Sequence, residues 1–187
     1  MHSPSMGFNE LWEKQGESNK FAYHLKVLEE DEFVLKVDNK YCLSHKGKTY
    51  VAYVDGESGD KTKFPLLGVI CIVYDKVKDR YLMSKRLKEP FYGYIGFIGG
   101  KLEFSQYIYE CARKEVKEET GLDCNVELKG IFSSKTYNNC ELSYNHQMFV
   151  LLCSNPVGEL LGRTREGENQ WMSEEEIKKC NIFPNVL

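Results

Sequence analysis

Residues 99–122 read GGKLEFSQYIYECARKEVKEETGL, a glycine pair followed by a run rich in carboxylates. Within this run, Glu115, Glu118 and Glu119 follow the spacing i, i+3, i+4, which places them on one face of a helix that turns by about 100° per residue. The apolar residues of the run fall on or beside the same face, whereas Arg113 falls opposite. The stretch therefore predicts a helix with three acids on or beside its buried stripe.

Three carboxylates on a partly buried face need a positive partner. Like charges at this spacing repel, and a buried carboxylate without a partner is costly or becomes protonated. A divalent cation would compensate all three, and hard carboxylate oxygens favour Mg²⁺ or Mn²⁺ over zinc. The glycine pair supports this interpretation because bare backbone can approach a phosphate or a metal closely. A solvated helix rich in Glu and Lys is the ordinary alternative for such a run.

The segment resembles the Nudix box, a pattern written G-x5-E-x7-R-E-U-x-E-E-x-G-U, in which U is an aliphatic residue. Laid on this chain, the pattern matches at Gly100, Glu115, Val116, Glu118, Glu119, Gly121 and Leu122. Three positions depart from the family: Gln106 replaces the first Glu, Lys114 replaces the Arg, and Ile98 replaces the usual Pro before the glycines. The metal-binding half of the pattern is intact and its supporting half is altered.

The resemblance implies a mechanism based on bound metal. It implies that Glu115 and Glu119 bind the ion directly, that Glu118 is a further ligand or acid–base group, and that the Gly100 carbonyl completes the shell. Hydrolysis of a phosphoanhydride needs charge neutralised on phosphate oxygens and a more acidic water, which Mg²⁺ supplies. The expected cofactor is therefore Mg²⁺ or Mn²⁺.

Further site residues are expected outside the box. Nudix enzymes often take another Glu from a loop beyond it, and the segment REGENQWMS offers Glu166 and Glu168, of which we favour Glu166 as a catalytic group. Arg86 and Lys101 are candidate phosphate contacts, although either could be an ordinary surface charge. Asn185, in the terminal FPN, is a candidate contact to a purine edge.

The two altered box positions predict reduced or retuned catalysis. In the family, the Glu and Arg at these positions help to hold the catalytic loop against the helix. Gln106 cannot form a salt bridge, and Lys114 lacks the planar fork of Arg. We therefore expect hydrogen bonds to hold the loop, while every metal-binding carboxylate survives.

Residues 1–63 and 64–187 differ in character, and we predict an N-terminal β-rich arm followed by a Nudix domain. In the arm we predict a short amphipathic helix from Phe8 to Glu17 and strands at Phe33–Val37 and Thr49–Val54. The role of this arm stays open among an added sheet, dimerisation and a cover over the active site.

The region after residue 64 predicts an α/β fold. LLGVICIVYD and YLMSKR indicate two strands joined by a tight turn, and Cys124–Thr136 and Leu142–Ser154 indicate two more. The motif SEEEIKK begins a final helix with a capping box. The resemblance implies the Nudix-type α/β/α sandwich with a mixed β-sheet.

Composition narrows the class of protein. The net charge of −3 and pI near 5.9 indicate no clear nucleic-acid surface, and no apolar run approaches the roughly 18 residues of a membrane span. The seven cysteines are scattered without a C-x-x-C pair, which is typical of a reduced cytoplasmic protein. We expect a cytoplasmic protein whose partner is a small-molecule nucleotide, with a homodimer left open.

The favoured function is a metal-dependent pyrophosphohydrolase acting on a nucleoside triphosphate or another nucleoside diphosphate derivative. The strands before the box look most like the triphosphate-cleaving branch typified by MutT. The alternatives are an ADP-ribose or nucleotide-sugar hydrolase, a catalytically weak domain that regulates by binding a nucleotide, and an RNA-end processing enzyme. The near-neutral charge gives the last alternative no support.

Overall fold

The structure is a computed structural model that describes residues 5–54, 61–89 and 91–183. The chain falls into two compact units, Met1–Lys63 and Phe64–Leu187. Across the described residues, no helix has both the length and the apolar character needed to cross a bilayer.

The N-terminal unit combines a small sheet with three helices, so it is more helical than the β-rich arm that the sequence predicted. Its strands β1, β2 and β3 pair antiparallel in the order β1-β3-β2. The elements are β1 (Met6–Gly7), α1 (Phe8–Trp12), α2 (Ser18–Glu30), β2 (Val34–Val37), β3 (Lys40–Leu43) and α3 (His45–Val51). The predicted strand at residues 33–37 is confirmed within one residue. The helix predicted within residues 8–17 ends earlier, because Glu13 adopts a left-handed conformation with φ 49°.

The strand predicted at Thr49–Val54 is wrong, because residues 45–51 form the helix α3. Ser44 caps this helix: its hydroxyl accepts a hydrogen bond from the backbone N–H of Gly47 at 2.9 Å. The ring of Tyr50 packs against Phe33 with centroids 5.0 Å apart. The cap and this tertiary contact outweigh the strand propensity of the β-branched and aromatic residues in the segment.

The C-terminal unit is a mixed sheet that carries the box helix. Its main path runs β10-β5-β4-β9-β8, with β6 paired to β5 and β7 paired to β4. Strands β4 and β9 are parallel, and the other pairs are antiparallel. The elements are β4 (Leu66–Asp75), β5 (Arg80–Arg86), β6 (Ile95–Gly96), β7 (Ile98–Lys101), α4 (Ile108–Thr120), β8 (Asp123–Asn138), β9 (Glu141–Val157), β10 (Gly167–Met172) and α5 (Glu174–Ile177).

These elements confirm most of the pattern predicted after residue 64. The strand pair around the turn at residues 76–79, the box helix, the two later strands and the final helix are all present. The segment REGENQWMS, predicted as a loop, instead contains β10. Its alternating burial and its register along β5, from Gly167 opposite Arg86 to Met172 opposite Tyr81, explain the strand.

Helix α4 packs its apolar stripe onto the sheet. Cys111, Ala112 and Val116 are fully buried in a cluster that includes residues from β4, β5 and β9. Cys71 and Cys153 are fully buried in the same cluster. Burial of this stripe determines how α4 is rotated against the sheet, and hence where its acids lie.

Replacing Gly121 by alanine should lower the free energy of unfolding by at least about 1 kcal/mol. Gly121 ends α4 with φ 76°, and a Cβ there would lie 2.7 Å from the carbonyl oxygen of Glu159. Denaturant unfolding measures the loss. Gly130→Ala is the matched control, because a Cβ at Gly130 meets nothing within 4 Å. Equal stability of the two variants would contradict the account of the helix end.

Candidate active site

Helix α4 presents its acids beside the buried stripe. Tyr107 precedes the helix, and its backbone N–H donates to the carboxylate of Glu110 at 3.1 Å, which secures the first turn. Glu115 and Glu119 are half-buried, whereas Glu118 is exposed. The geometry expected from the spacing of the three acids is therefore present, with two of them drawn toward the core.

Gly100 lies directly against the first of these acids. On β7 it pairs with Val69 of β4, and a Cβ at Gly100 would approach Oε2 of Glu115 to 2.5 Å. Real Cβ atoms do not approach oxygen so closely, so only glycine leaves room for the carboxyl group. The close approach expected of the glycine pair is thus made to a carboxylate of the helix.

Glu115 and Glu119 share a hydrogen bond between their carboxyl groups. Burial, followed by the negative charges of Glu115 and Glu166, raises the pKa of Glu119 to about 8. Burial and then the charge of Glu118 also raise the pKa of Glu115. The Glu119 carboxyl therefore donates to the Glu115 carboxylate near neutral pH.

Arg86 and Glu166 join the acids from the sheet. The Arg86 guanidinium lies close enough to Glu119 to oppose the rise of its pKa, and Glu166 acts on both helix acids. A backbone hydrogen bond joins the two segments that carry these residues: the Leu87 N–H donates to the Glu166 carbonyl at 3.0 Å. The ammonium of Lys88 forms an ion pair with the Glu166 carboxylate. The structure thus brings these two sequence-predicted residues to the acid pair.

Glu168 belongs to a different surface. It pairs with Lys85 on β5, so its side chain points away from the face that carries Arg86 and the neighbouring Gly167. Its carboxylate accepts a hydrogen bond from Arg163 at 2.6 Å. The geometry favours Glu166 over Glu168 as the acid from beyond the box.

One candidate substrate contact is not drawn into the acid cluster, and another lies outside the described residues. Lys101 ends β7 as an exposed residue, and its backbone carbonyl accepts from the Cys111 thiol at 3.5 Å. Asn185 lies outside the described residues. A role for either residue in substrate binding stays a prediction.

A sequence profile of the NUDIX domain matches residues 65–185. This chain belongs to the Nudix family. It is similar to the uncharacterized Nudix hydrolase YvcI of Bacillus subtilis (strain 168), with 26% identity over 99 residues. That match covers 52% of this chain and 63% of the relative, less than two thirds of the relative's length.

Solved Nudix structures share the fold. The chain is similar to a MutT protein from Bacillus halodurans, with 30% identity and a TM-score of 0.55 over 63% of this chain and 74% of that one. It is also similar to the NUDIX domain of NrtR from Shewanella oneidensis, solved with ADP ribose, with 13% identity and a TM-score of 0.56 over 72% and 88% of the two chains. The predicted Nudix-type α/β fold is confirmed.

The altered positions of the Nudix box meet at a residue that the sequence did not single out. Lys114 forms an ion pair with Glu103 at 3.2 Å, and Gln106 Oε1 accepts from the backbone N–H of Glu103 at 3.2 Å. The carboxylate absent from position 106 is thus supplied three residues earlier. A salt bridge and a hydrogen bond hold the loop before α4, where hydrogen bonds alone were expected.

Asn169 is a second residue that the sequence did not reveal. It is buried on β10, and its Nδ2 donates to the carbonyls of Glu119 at 2.6 Å and Leu161 at 2.9 Å. This side chain ties the end of the Nudix helix to the sheet. The sequence could have revealed Asn169 only if β10 had been recognised as a strand. Side chains alternate between the two faces of a strand, and this alternation directs residue 169 inward.

The donor set suits a hard divalent cation. Burial is the first cause of the raised pKa values of Glu115 and Glu119, and the opposing charge of Arg86 offsets the rise for Glu119 only in part. Within the three described ranges, no three His, Cys, Asp or Glu side chains already surround a point where a metal could bind. The hydrogen bond between the two carboxyl groups would therefore open, and Glu119 would lose its proton, when a metal binds.

Glu119 should make the stability of the metal-free protein fall with rising pH. Its raised folded-state pKa means that the folded protein keeps a proton that the unfolded chain releases. The resulting stabilisation is complete below the ordinary value of 4.5 and is lost as the pH rises through about 8. Thermal unfolding in a chelator, at a series of pH values, measures this slope.

Glu119→Gln should flatten that slope, and Glu141→Gln, a change at an exposed acid on β9, should keep it. Mg²⁺ should raise the unfolding temperature of the unsubstituted protein more at alkaline pH than at acidic pH, since metal binds the ionised carboxylates. An unchanged slope in Glu119→Gln would show that Glu119 is not the group that titrates.

Proposed function

We propose that this Nudix protein is a divalent-metal-dependent pyrophosphohydrolase that cleaves a phosphoanhydride bond in a nucleoside triphosphate or another nucleoside diphosphate derivative. The observation that carries the proposal is the half-buried pair of Glu115 and Glu119 beside Gly100, with Arg86 and Glu166 next to it. A cluster of acids next to an arginine suits a phosphate chain that arrives together with a cation.

Four residues would hold the cation, namely Glu115, Glu119, Glu118 and, through its carbonyl, Gly100. When bound, Mg²⁺ or Mn²⁺ neutralises charge on the phosphate oxygens and makes a coordinated water more acidic. Glu115 and Glu119 would both hold the cation in their ionised form, so the proton that they share would pass to solvent. Gly100 keeps this space open because it has no side chain.

The chain's own residues then bind the phosphates and move the proton. The Arg86 guanidinium binds phosphate oxygens and stabilises charge that builds up on the leaving group. The Glu166 carboxylate accepts the proton of the attacking water, and its ion pair with Lys88 holds it in place. No covalent intermediate with the protein is needed, so the products are a nucleotide and a phosphate-containing fragment.

Nucleoside triphosphates are the favoured substrates. The 30% identity to the MutT protein of Bacillus halodurans supports the triphosphate-cleaving branch suggested by the strands before the Nudix box. The alternative function is nucleotide binding without turnover. It is suggested by Gln106 and Lys114, which depart from the Nudix box. The ion pair between Lys114 and Glu103 weakens that rival, because it replaces a support of the loop.

A metal-dependent hydrolysis screen should detect turnover. The panel comprises unmodified and oxidised nucleoside triphosphates, ADP-ribose, nucleotide sugars, dinucleoside polyphosphates and capped RNA, each with Mg²⁺ or Mn²⁺ and with a chelator. We expect cleavage of at least one triphosphate and loss of that cleavage in the chelator. Tight nucleotide binding with no product from any compound would overturn the enzymatic proposal in favour of a regulatory domain.

Glu119→Gln should lower kcat by at least about a hundredfold, because it removes a charge that stabilises the transition state. Glu166→Gln should also lower kcat, with a change in its pH profile if the residue is the general base. Glu141→Gln is the control and should retain the full rate, since that exposed acid lies outside the cluster. A loss of only a few fold in Glu119→Gln would contradict its assignment as a ligand.

A further inference from the structure

Helices α1 and α2 of the N-terminal unit form a helix-turn-helix. Residues 13–17, which include a glycine, connect the two helices. The Trp12 indole N–H donates to the Gln15 carbonyl at 3.0 Å and fixes the turn. The ring of Phe8 in α1 packs edge-on against Phe21 in α2, with centroids 5.4 Å apart. Two helices joined by a short turn with a glycine are the arrangement in which DNA-binding proteins present a recognition helix.

A β-hairpin follows α2 and braces the helix pair. Val37 of β2 pairs with Lys40 of β3, so the hairpin turn consists of Asp38 and Asn39. Both turn residues have positive φ, 49° and 61°, which is typical of tight two-residue hairpins. Strand β1, which precedes α1, pairs with β3. The sheet therefore joins the segment before the helix pair to the segment after it, with α2 between them.

One side of α2 packs within the unit and the other faces solvent. Leu25 is buried and Phe21 is half-buried. Asn19, Tyr23 and Lys26 are exposed and fall within about 60° of one another on a helix that turns by about 100° per residue, on the side away from Leu25. The Tyr23 side chain is 65% exposed, so it contributes little to packing. Helix α2 therefore presents an outward face of polar side chains.

Charge is distributed unevenly along α2. Up to residue 26 its exposed charges are Lys20 and Lys26, and acids occupy residues 29–32, where the helix ends. One of these acids, Glu30, forms an ion pair with Lys26 at 3.4 Å. The turn at residues 13–17 carries two acids and one lysine. The outward face of α2 is therefore basic over its first turns, although the chain as a whole has a net charge of −3.

These properties suit the major groove of duplex DNA. A recognition helix places its N-terminal residues on base edges, and a helix about 10–12 Å in diameter fits a groove about 12 Å wide. The major groove of duplex RNA is too narrow for side chains to read. Lysine is depleted at protein–protein interfaces, so a polar face with two lysines favours a nucleic acid over a protein partner. The acidic end of α2 is the end away from the bases.

We propose that the N-terminal unit binds duplex DNA through α2, which lies in the major groove. Asn19 and Tyr23 contact base edges, and Lys20 and Lys26 bind phosphates. The amide of an asparagine can donate to and accept from one adenine edge, whereas a lysine contributes affinity with little dependence on sequence. The inference goes beyond the proposed hydrolase activity and does not rest on it, because the acid cluster on α4 takes no part in it.

Selection from a random-sequence library of DNA duplexes tests the proposal. The full chain is mixed with the library, and bound duplexes are recovered and amplified over several rounds. Fluorescence anisotropy then measures the affinity for the selected duplex, for a scrambled version of it and for an RNA duplex of the selected sequence. The selected DNA should bind at least about tenfold more tightly than the scrambled DNA, and the RNA duplex should bind more weakly than the selected DNA.

Two substitutions on α2 separate base contacts from phosphate contacts. Asn19→Ala should reduce the preference for the selected over the scrambled duplex by about tenfold and leave the affinity for the scrambled duplex unchanged. Lys20→Ala should weaken both duplexes alike and lower the slope of log affinity against log salt concentration by about 1. Because both side chains are exposed, thermal unfolding should show unchanged stability in both variants.

Lys76→Ala is the matched control, since Lys76 is an exposed lysine in the turn between β4 and β5 of the C-terminal unit. It makes the same change of charge as Lys20→Ala and should leave every affinity and the salt slope unchanged. A library from which no sequence is enriched would overturn the proposal. An RNA duplex that binds as tightly as the selected DNA would also overturn it, as would equal losses of affinity in Lys76→Ala and Lys20→Ala.

Discussion

Packing of the apolar stripe of α4 against the sheet is the constraint on which the candidate site depends, because it leaves Glu115 and Glu119 half-buried beside each other. Two like charges half-buried on one helix are unfavourable, and the molecule accommodates them by sharing a proton. The helix cannot turn the acids outward, because Cys111, Ala112 and Val116 are fully buried on the same side. Burial of the Val116 side chain alone stabilises the docked helix by roughly 1.5–3 kcal/mol, so packing of the core keeps the two acids close together.

Residues of the surrounding sheet hold the two acids in a defined position. Gly100 leaves space for one carboxyl group, and Asn169 holds the backbone at the end of the helix. Arg86 and Glu166 arrive from β5 and from the segment before β10, which are neighbouring strands although they are distant in sequence. Gly100, Arg86 and Glu166 thus lie beside the acid pair, while Asn169 holds the end of the helix that carries it.

Most of the elements that were predicted correctly came from patterns within short segments of sequence. The period of the helix, the glycine at its end and the apolar runs of β4, β8 and β9 are features of short segments, and the structure contains all of them. The failures have a common physical cause, because α3 and β10 depend on partners elsewhere in the chain. Thr49–Val51 becomes helical through a cap and a ring contact, and β10 forms through its pairing with β5.

The same cause explains which site residues the sequence could show. The three acids Glu115, Glu118 and Glu119 could be predicted because their spacing is a pattern within one helix. Gln106 and Lys114 could be recognised because they depart from the motif that contains this pattern. Glu103 and Asn169 have no such code: one matters because Lys114 reaches it, the other because β10 directs it inward. The preference for Glu166 over Glu168 came from the family resemblance, and the effect of the Glu166 charge on both helix acids supports it.

The parallel pairing of β4 with β9 has a consequence for how the molecule folds. Between these strands the chain passes through β5, the box helix and β8, so the pair closes a long loop. Long loops lose conformational entropy before their contacts form, and such topologies fold slowly. Because β10 follows all of these elements and docks on β5, the corner that joins Arg86 to Glu166 is completed late. A chain still emerging from the ribosome would hold the helix with the acid pair before it held the residue proposed to activate water.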